Sequence, residues 1–100
     1  MFIYSTFPNE ESVKQTAKHL VENRLAACVN YWPINSVYEW QGEINEDKEW
    51  ACIIKTHTSK AEEIIEYIKA NHPYSTPAII SINVSFHGTY KSWLEEQLGI

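Results

Sequence analysis

The sequence predicts an α+β fold, a ferredoxin-like βαββαβ sandwich with an extra C-terminal helix. Its segments follow the order strand, helix, strand, strand, helix, strand and short helix. The first six of them match the split βαβ arrangement. Apolar residues recur at helical spacing in the helical segments, and the other segments are rich in β-branched and aromatic residues. A length of 100 residues, of which 44% are apolar, suits one domain, and we expect that domain to span residues 1–100.

The first half of the chain is predicted to form a strand, a helix and a long bent strand. Phe2 to Thr6 make the first strand, and Asn9 caps the helix, because its side chain can accept a hydrogen bond from a free backbone N–H group. The second strand covers residues 27–40 and bends at Pro33, which cannot donate to the ladder of a sheet. The helical residues expected to be buried are Val13, Ala17, Leu20 and Val21.

A hairpin is predicted to join the second strand to the third. Residues 42–47 would form its turn and residues 49–56 its returning strand, and the short connection makes the pair antiparallel. In this register Cys52 faces residues 37–39, so Cys28 is not its cross-strand partner.

The second half is predicted to contain a helix, a strand and the terminal helix. Ser59 and Glu62 match the S-x-x-E capping box at the start of the second helix, and residues 71–73 end it. Residues 78–85 form the last strand, and Gly99 lies just past the end of the terminal helix. The apolar stripes of the two helices are Ala61, Ile64, Ile65 and Ile68, and then Tyr90, Trp93, Leu94 and Leu98.

The third strand is apolar on both of its sides. Trp50, Cys52 and Ile54 lie on one side of it. Ala51 and Ile53 lie on the other, and a strand with two apolar sides is typically buried on both faces of its sheet. Two helices cover only one face of a ferredoxin-like sheet, and the terminal helix is short. The pattern therefore indicates that another subunit covers the remaining face.

The charge balance excludes some classes of partner. The formal net charge is −5, with 13 acidic and 8 basic residues. Nucleic acids and anionic membranes are bound by surfaces rich in lysine and arginine, so we expect neither as a partner. The acidic excess is compatible with cation binding, although it also serves solubility.

Motifs of common catalytic and targeting segments are missing. The sequence contains no phosphate-binding glycine loop, HExxH zinc motif or GxSxG nucleophile elbow, and no nucleophile with its base can be nominated. We therefore expect that the protein is not an enzyme. No signal-like or membrane-spanning apolar run is present, which favours the cytoplasm, where Cys28 and Cys52 would be reduced thiols.

His72 and Cys28 are the metal-ligand candidates that the sequence leaves open. None of the four histidines has another His or Cys at helical ligand spacing, and His72, within His72-Pro73-Tyr74, stands out from the rest. As a cation at a helix C-terminus it could instead interact with the helix dipole. Cys52 lies among apolar strand residues and is expected to pack as a small hydrophobe.

Five separated segments resemble the CutA (divalent-cation tolerance) family, in the same order and over essentially the whole chain. The resemblance implies a homotrimer of ferredoxin-like subunits, associated with tolerance to divalent cations and copper especially. The matching segments are residues 24–30 (RLAACVN), 36–44 (SVYEWQGEI), 54–56 (IKT), 72–74 (HPY) with Pro77, and 90–94 (YKSWL).

The resemblance also implies a ligand site in a cleft between subunits. Carried over residue by residue, Cys28 and His72 are its metal ligands, and its other residues are Lys55, Tyr74 and Trp93. Family members often have acidic residues after His-Pro-Tyr and after the next proline. This chain has Ser75 and Ala78 there. A thiol and an imidazole suit copper better than calcium or magnesium, so weak copper binding is the expectation.

Two other functions remain open at this point. A regulatory trimer similar to the PII proteins would bind a small anionic metabolite through Lys55. A purely structural trimeric scaffold would bind no ligand.

Overall fold

Seven elements follow one another along the chain in the predicted order. The computed structural model describes all residues from Met1 to Ile100. The strands form one antiparallel sheet in the order β2-β3-β1-β4, so the α+β fold is confirmed. The elements are β1 (Phe2–Phe7), α1 (Glu10–Glu22), β2 (Cys28–Trp40), β3 (Glu43–Lys55), α2 (Thr58–Asn71), β4 (Ile79–Ile82) and α3 (Gly88–Leu98).

Three of the four predicted helix ends are confirmed, including the end of α2, whose last residue is Asn71. Asn9 caps α1, where its Oδ1 accepts a hydrogen bond of 2.9 Å from the N–H of Ser12. Gly99 ends α3 with a left-handed φ of 70°. The capping box of α2 is wrong. The helix already begins at Thr58, and the extended residue before it, His57, accepts the N–H of Ser59 at its Nδ1.

The predicted turn of the hairpin is also wrong. The turn contains only Gln41 and Gly42, which both have positive φ, and such a two-residue turn matches the twist of the strands that it joins. Residues 43–47 therefore belong to β3, and the register shifts. Cys52 pairs with Tyr31 instead of residues 37–39, and Cys28 pairs with Lys55, so the two cysteines are indeed not partners.

The last strand is shorter than predicted, and one helical residue is misplaced. β4 stops at Ile82 because Ile82 pairs with Phe2, where β1 begins, so later residues have no neighbouring strand. Val21 is exposed instead of buried. It follows Leu20 by about 100° around the helix, which turns it away from the buried side.

Helices α1 and α2 cover one face of the sheet, here called the helix face. Ile3, Cys52 and Ile54 contribute the strand side of the main hydrophobic core. The helices contribute Val13, Leu20, Ile64 and Ile68.

The opposite face of the sheet, here called the open face, is covered only at one end. There Leu94 and Leu98 of α3 pack with Ala27, and Phe86 contacts Phe2 with ring centroids 6.0 Å apart. Beyond α3 the open face exposes large apolar side chains, namely Trp32, Ile80 and Ile82.

The β2–β3 hairpin extends beyond the rest of the sheet. β1 pairs with β3 only from Trp50 to Lys55, so residues 34–40 and 43–49 form a two-stranded arm. Val37 and Ile44 on this arm are 66% and 71% exposed. The arm contributes to the elongated shape of the subunit, whose extents are 46 × 24 × 20 Å.

Candidate functional site

The five predicted site residues lie at two opposite ends of the sheet. Cys28, Lys55 and Trp93 lie at the end covered by α3, here called the thiol end. His72 and Tyr74 lie at the other end, near Thr6, and this is called the cavity end. Thr6 pairs with Ala51 and Cys28 pairs with Lys55, so four residues of β3 separate the two levels. At about 3.3 Å per residue the separation is roughly 13 Å along the strands, too far for Cys28 and His72 of one chain to share an ion.

At the thiol end a half-buried cysteine lies beside a lysine and two aromatic rings. Lys55 is directly opposite Cys28 in the β2–β3 pair. Its Nζ lies 5.5 Å from the centre of the Tyr90 ring, and that ring is 5.5 Å from the ring of Trp93. The Cys28 Sγ receives one long contact of 3.9 Å, from the side-chain amide of Asn30. The Cys28 thiol is thus loosely held and partly accessible to solvent.

At the cavity end His72 has both ring nitrogens engaged. Its Nδ1 accepts the backbone N–H of Tyr74 at 2.9 Å, so the proton of the neutral ring is on Nε2, which donates to the carbonyl of Thr6 at 2.8 Å. The ring also stacks on Phe7 with centroids 4.4 Å apart. Burial lowers the pKa of His72, although the Thr6 carbonyl and the charge of Glu49 oppose the shift. A metal ion would have to displace one of these hydrogen bonds.

A cavity of about 530 Å³ lies beside Tyr74. Glu49, 8% exposed, contributes a carboxylate to it, and the Tyr74 hydroxyl donates to Oε2 of that carboxylate at 2.8 Å. Burial and this hydrogen bond raise the pKa of the Tyr74 phenol. The lining residues are Thr6, Tyr38, Trp40, Glu49, Pro73, Tyr74, Ser75 and Thr76.

A second tyrosine holds a second carboxylate near this cavity. The Tyr38 hydroxyl donates to the carboxylate of Asp47, its neighbour on the same face of the arm. That hydrogen bond is the main cause of the raised pKa of Tyr38, and the charges of Asp47 and Glu49 add to it. The cavity end therefore carries negative charge, and neither lysine nor arginine lines the cavity.

Comparison with known protein families shows which family the chain belongs to. Residues 1–97 match the family model described as CutA1 divalent ion tolerance protein. The chain belongs to the CutA1 family. The resemblance seen in the sequence is thereby confirmed.

Relatives and solved structures of this family match over nearly full length. The divalent-cation tolerance protein CutA of Thermotoga maritima is 46% identical over 99 residues, which cover 98% of each chain. The crystal structure of CutA1 from Pyrococcus horikoshii has a TM-score of 0.92 at 42% identity and covers 96% of this chain and 95% of that one. CutA from Archaeoglobus fulgidus has a TM-score of 0.93 at 40% identity and covers 97% of this chain and 96% of that one.

Other properties of this CutA1 family member stay predictions. The Archaeoglobus protein is described as periplasmic, so family membership does not carry the cytoplasmic location that the sequence favours. None of the three helices is long and apolar enough to cross a membrane. No group of three or more histidine, cysteine, aspartate or glutamate side chains in the chain is arranged to hold a metal ion. The lack of enzymatic activity also stays a prediction.

Sequence reasoning missed Glu49, Tyr38 and Trp40. All three lie on the open-face side of the hairpin, because Ile34 pairs with Glu49 and the alternation continues to Tyr38 and Trp40. The signal in the sequence was Glu49, the last acidic residue before the apolar part of β3. With the turn placed at residues 42–47, however, this grouping could not be seen.

Proposed function

We propose that this CutA1 family member acts as a homotrimer in divalent-cation tolerance and binds copper weakly in a cleft between subunits. The observation that carries the assembly is the open face, where Trp32 on β2 and Ile80 and Ile82 on β4 are exposed towards opposite edges of the sheet, with the half-buried Tyr4 and Ile53 between them. A large contiguous apolar patch on a soluble subunit is typical of an interaction surface. A second copy of the chain is the occupant because the family resemblance implies a closed trimer.

The arm supports the same assembly. A two-stranded hairpin is marginally stable by itself in water, and this arm exposes Val37, Trp40 and Ile44. Contact with neighbouring subunits would bury these residues and stabilise the arm. The unpaired edges of β2 and β4 offer further backbone groups for pairing.

Copper is proposed to bind at Cys28 of one subunit with His72 of a neighbouring subunit. The two-subunit site follows from the separation of these residues within one chain. Cys28 is half-buried and loosely held, and a thiolate and an imidazole suit copper. Because His72 must give up a hydrogen bond to coordinate, we expect weak affinity.

Calorimetric titration with copper(I) under anaerobic conditions, and with zinc as a redox-inert ion, tests this site. We expect Cys28→Ser to weaken binding by about tenfold or more, and binding to release protons and weaken at acid pH, since the ligand is a thiolate. Cys52→Ala is the matched control, because the Cys52 thiol is buried and its pKa is raised to about 11. Equal affinity of Cys28→Ser and the parent protein would contradict the copper proposal. Binding of citrate or ATP that depends on Lys55 would favour the PII-like alternative.

A further inference from the structure

The connection between α1 and β2 has an arginine where glycine is usual. Helix α1 ends in a Schellman motif, in which the N–H of Arg24 donates to the carbonyl of Val21 at 3.1 Å. The N–H of Leu25 completes the motif by donating to the carbonyl of Leu20 at 2.9 Å. The motif places Arg24 in the left-handed region, with a φ of 56°. Glycine adopts this conformation freely and a residue with a Cβ atom does not, so the helix end alone does not explain the arginine.

The side chain of Arg24 reaches the C-terminal end of α3. Its Nη1 donates to the carbonyl of Gln97 at 3.0 Å. This carbonyl belongs to the last turn of α3, where backbone carbonyls have no partner within the helix. The last turn contains no basic residue of its own. Arg24 therefore supplies, from another part of the chain, the positive charge that stabilises the negative end of the helix dipole.

Helix α3 has few other attachments to the rest of the chain. The bond from Arg24 is the one hydrogen bond that joins α3 to a part of the chain outside residues 87–100. Its buried side chains, Leu94 and Leu98, pack with Ala27 in a cluster of three residues, whereas the main core contains eleven. Elements with few buried apolar contacts open locally at a low free energy. α3 can therefore open while the main core stays folded, and Arg24 holds its C-terminal end.

We propose that Arg24 is a positioning residue, which holds α3 over the thiol end and so sets the access of ligands to Cys28. α3 carries the Tyr90 ring, whose centre lies 5.5 Å from the Nζ of Lys55, and Lys55 is directly opposite Cys28. Opening of α3 would move this ring away and widen the approach to the thiol. The consequence for copper rests on the function proposed above, whereas the holding of α3 does not.

Alkylation of the native full chain with iodoacetamide tests the proposal, because peptide mass spectrometry measures the rate at each cysteine. We expect Cys28 of Arg24→Gly to react about threefold faster than that of the parent or more, since the variant lacks the hydrogen bond to α3. Glycine keeps the Schellman motif and removes its backbone strain, so the midpoint of urea denaturation should hardly change. Arg24→Lys keeps a cationic donor and should react more slowly than Arg24→Gly.

Gln41→Gly is the matched control, because Gln41 is the other residue with a Cβ atom and a positive φ, and it lies in the turn of the arm. Its Cys28 should react at the parent's rate. Hydrogen exchange should be faster in α3 of Arg24→Gly and unchanged in α1 and α2. Equal Cys28 rates in Arg24→Gly and the parent would overturn the proposal. An equal acceleration at the buried Cys52 would also overturn it, since the main core would then be opening instead of α3.

The rate of copper(I) binding distinguishes this proposal from the copper site itself. We expect Arg24→Gly to bind copper(I) faster than the parent by a factor similar to that of alkylation. Faster alkylation in a protein that binds no copper would support the role of Arg24 and contradict the copper site. Copper binding by the parent together with equal alkylation rates would contradict the role of Arg24 and leave the copper site supported.

Discussion

Single side chains at the cavity end depend on one another through hydrogen bonds. Glu49 is almost completely buried, and the Tyr74 hydroxyl is its one partner. The backbone of Tyr74 is held in turn by His72, whose other nitrogen reaches the carbonyl of Thr6 on β1. Loss of the Tyr74 hydroxyl should therefore remove the one hydrogen bond that the chain donates to the Glu49 carboxylate.

Tyr74→Phe is expected to lower the free energy of unfolding by about 1–3 kcal/mol, because it leaves the Glu49 carboxylate unpaired. Urea denaturation monitored by circular dichroism measures the change. Tyr90→Phe is the control, since Tyr90 is exposed and its hydroxyl makes no hydrogen bond within the chain. Equal stability of the two variants would show that the Tyr74–Glu49 bond contributes nothing.

Cys52 should make stability depend on alkaline pH. Burial raises the pKa of its thiol to about 11 from 9.0, although a backbone hydrogen bond from Ser5 opposes the shift. The unfolded chain therefore loses the thiol proton at a lower pH than the folded chain does. The neutral thiol contributes fully to the free energy of unfolding below about pH 9, and this contribution is lost as the pH rises toward 11. Denaturation curves across this range should show a steeper loss for the parent than for Cys52→Ala. Parallel curves would contradict the buried thiol.

The register of the β2–β3 hairpin determines which side chains meet at the cavity end. Its two-residue turn sets the register of thirteen pairs, from Cys28 with Lys55 to Trp40 with Glu43. That register brings Tyr38 and Trp40 onto the same face as Glu49, because side chains alternate along a strand. The cavity end is thus a consequence of the turn.

Gly42→Ala should destabilise the protein by about 1 kcal/mol, because Gly42 has a φ of +82° that other residues adopt at a cost. A Cβ atom there would meet no atom within 4 Å, so the effect would come from the backbone alone. Gln41→Asn is the companion variant, and we expect it to raise stability slightly, since asparagine tolerates the positive φ of residue 41. Thermal unfolding measures both, and a neutral Gly42→Ala would contradict the turn.

Sequence patterns predicted the elements better than their connections. The order of strands and helices followed from periodicity, and the Asn9 and Gly99 ends followed from their local chemistry. The hairpin turn did not, because a glutamine in the left-handed region carries no compositional signal. His57 caps α2 although a conventional capping box lies two residues later. The end of β4 depends on where β1 begins, which is a tertiary property.

The candidate site was predicted less completely for the same reason. The family resemblance named Cys28, Lys55, His72, Tyr74 and Trp93, but it could not show that one chain separates them into two ends. Glu49 lies nine residues after Trp40 in sequence, and only the folded hairpin brings both to one cavity. Residue identity alone did not indicate that the Tyr74 hydroxyl would donate a hydrogen bond to Glu49.

The whole molecule has one face that its own chain leaves uncovered. The helix face contains the main core, whereas the open face exposes Trp32, Ile80 and Ile82 beyond α3. In the proposed trimer this face and the arm are interior. The copper cleft depends on that assembly, because it requires residues of two subunits.

Sedimentation equilibrium at micromolar concentration tests this account most directly. We expect the parent protein to have a mass of about three times the subunit mass of 11.6 kDa. Ile80→Asp, at a position 49% exposed in the single subunit, should fold but sediment as a smaller species, because burying an unpaired charge in the interface costs several kcal/mol. Val21→Asp, at a position 44% exposed on the helix side, should remain a trimer. A monomeric parent, or an Ile80→Asp variant that assembles as well as Val21→Asp, would contradict the trimer.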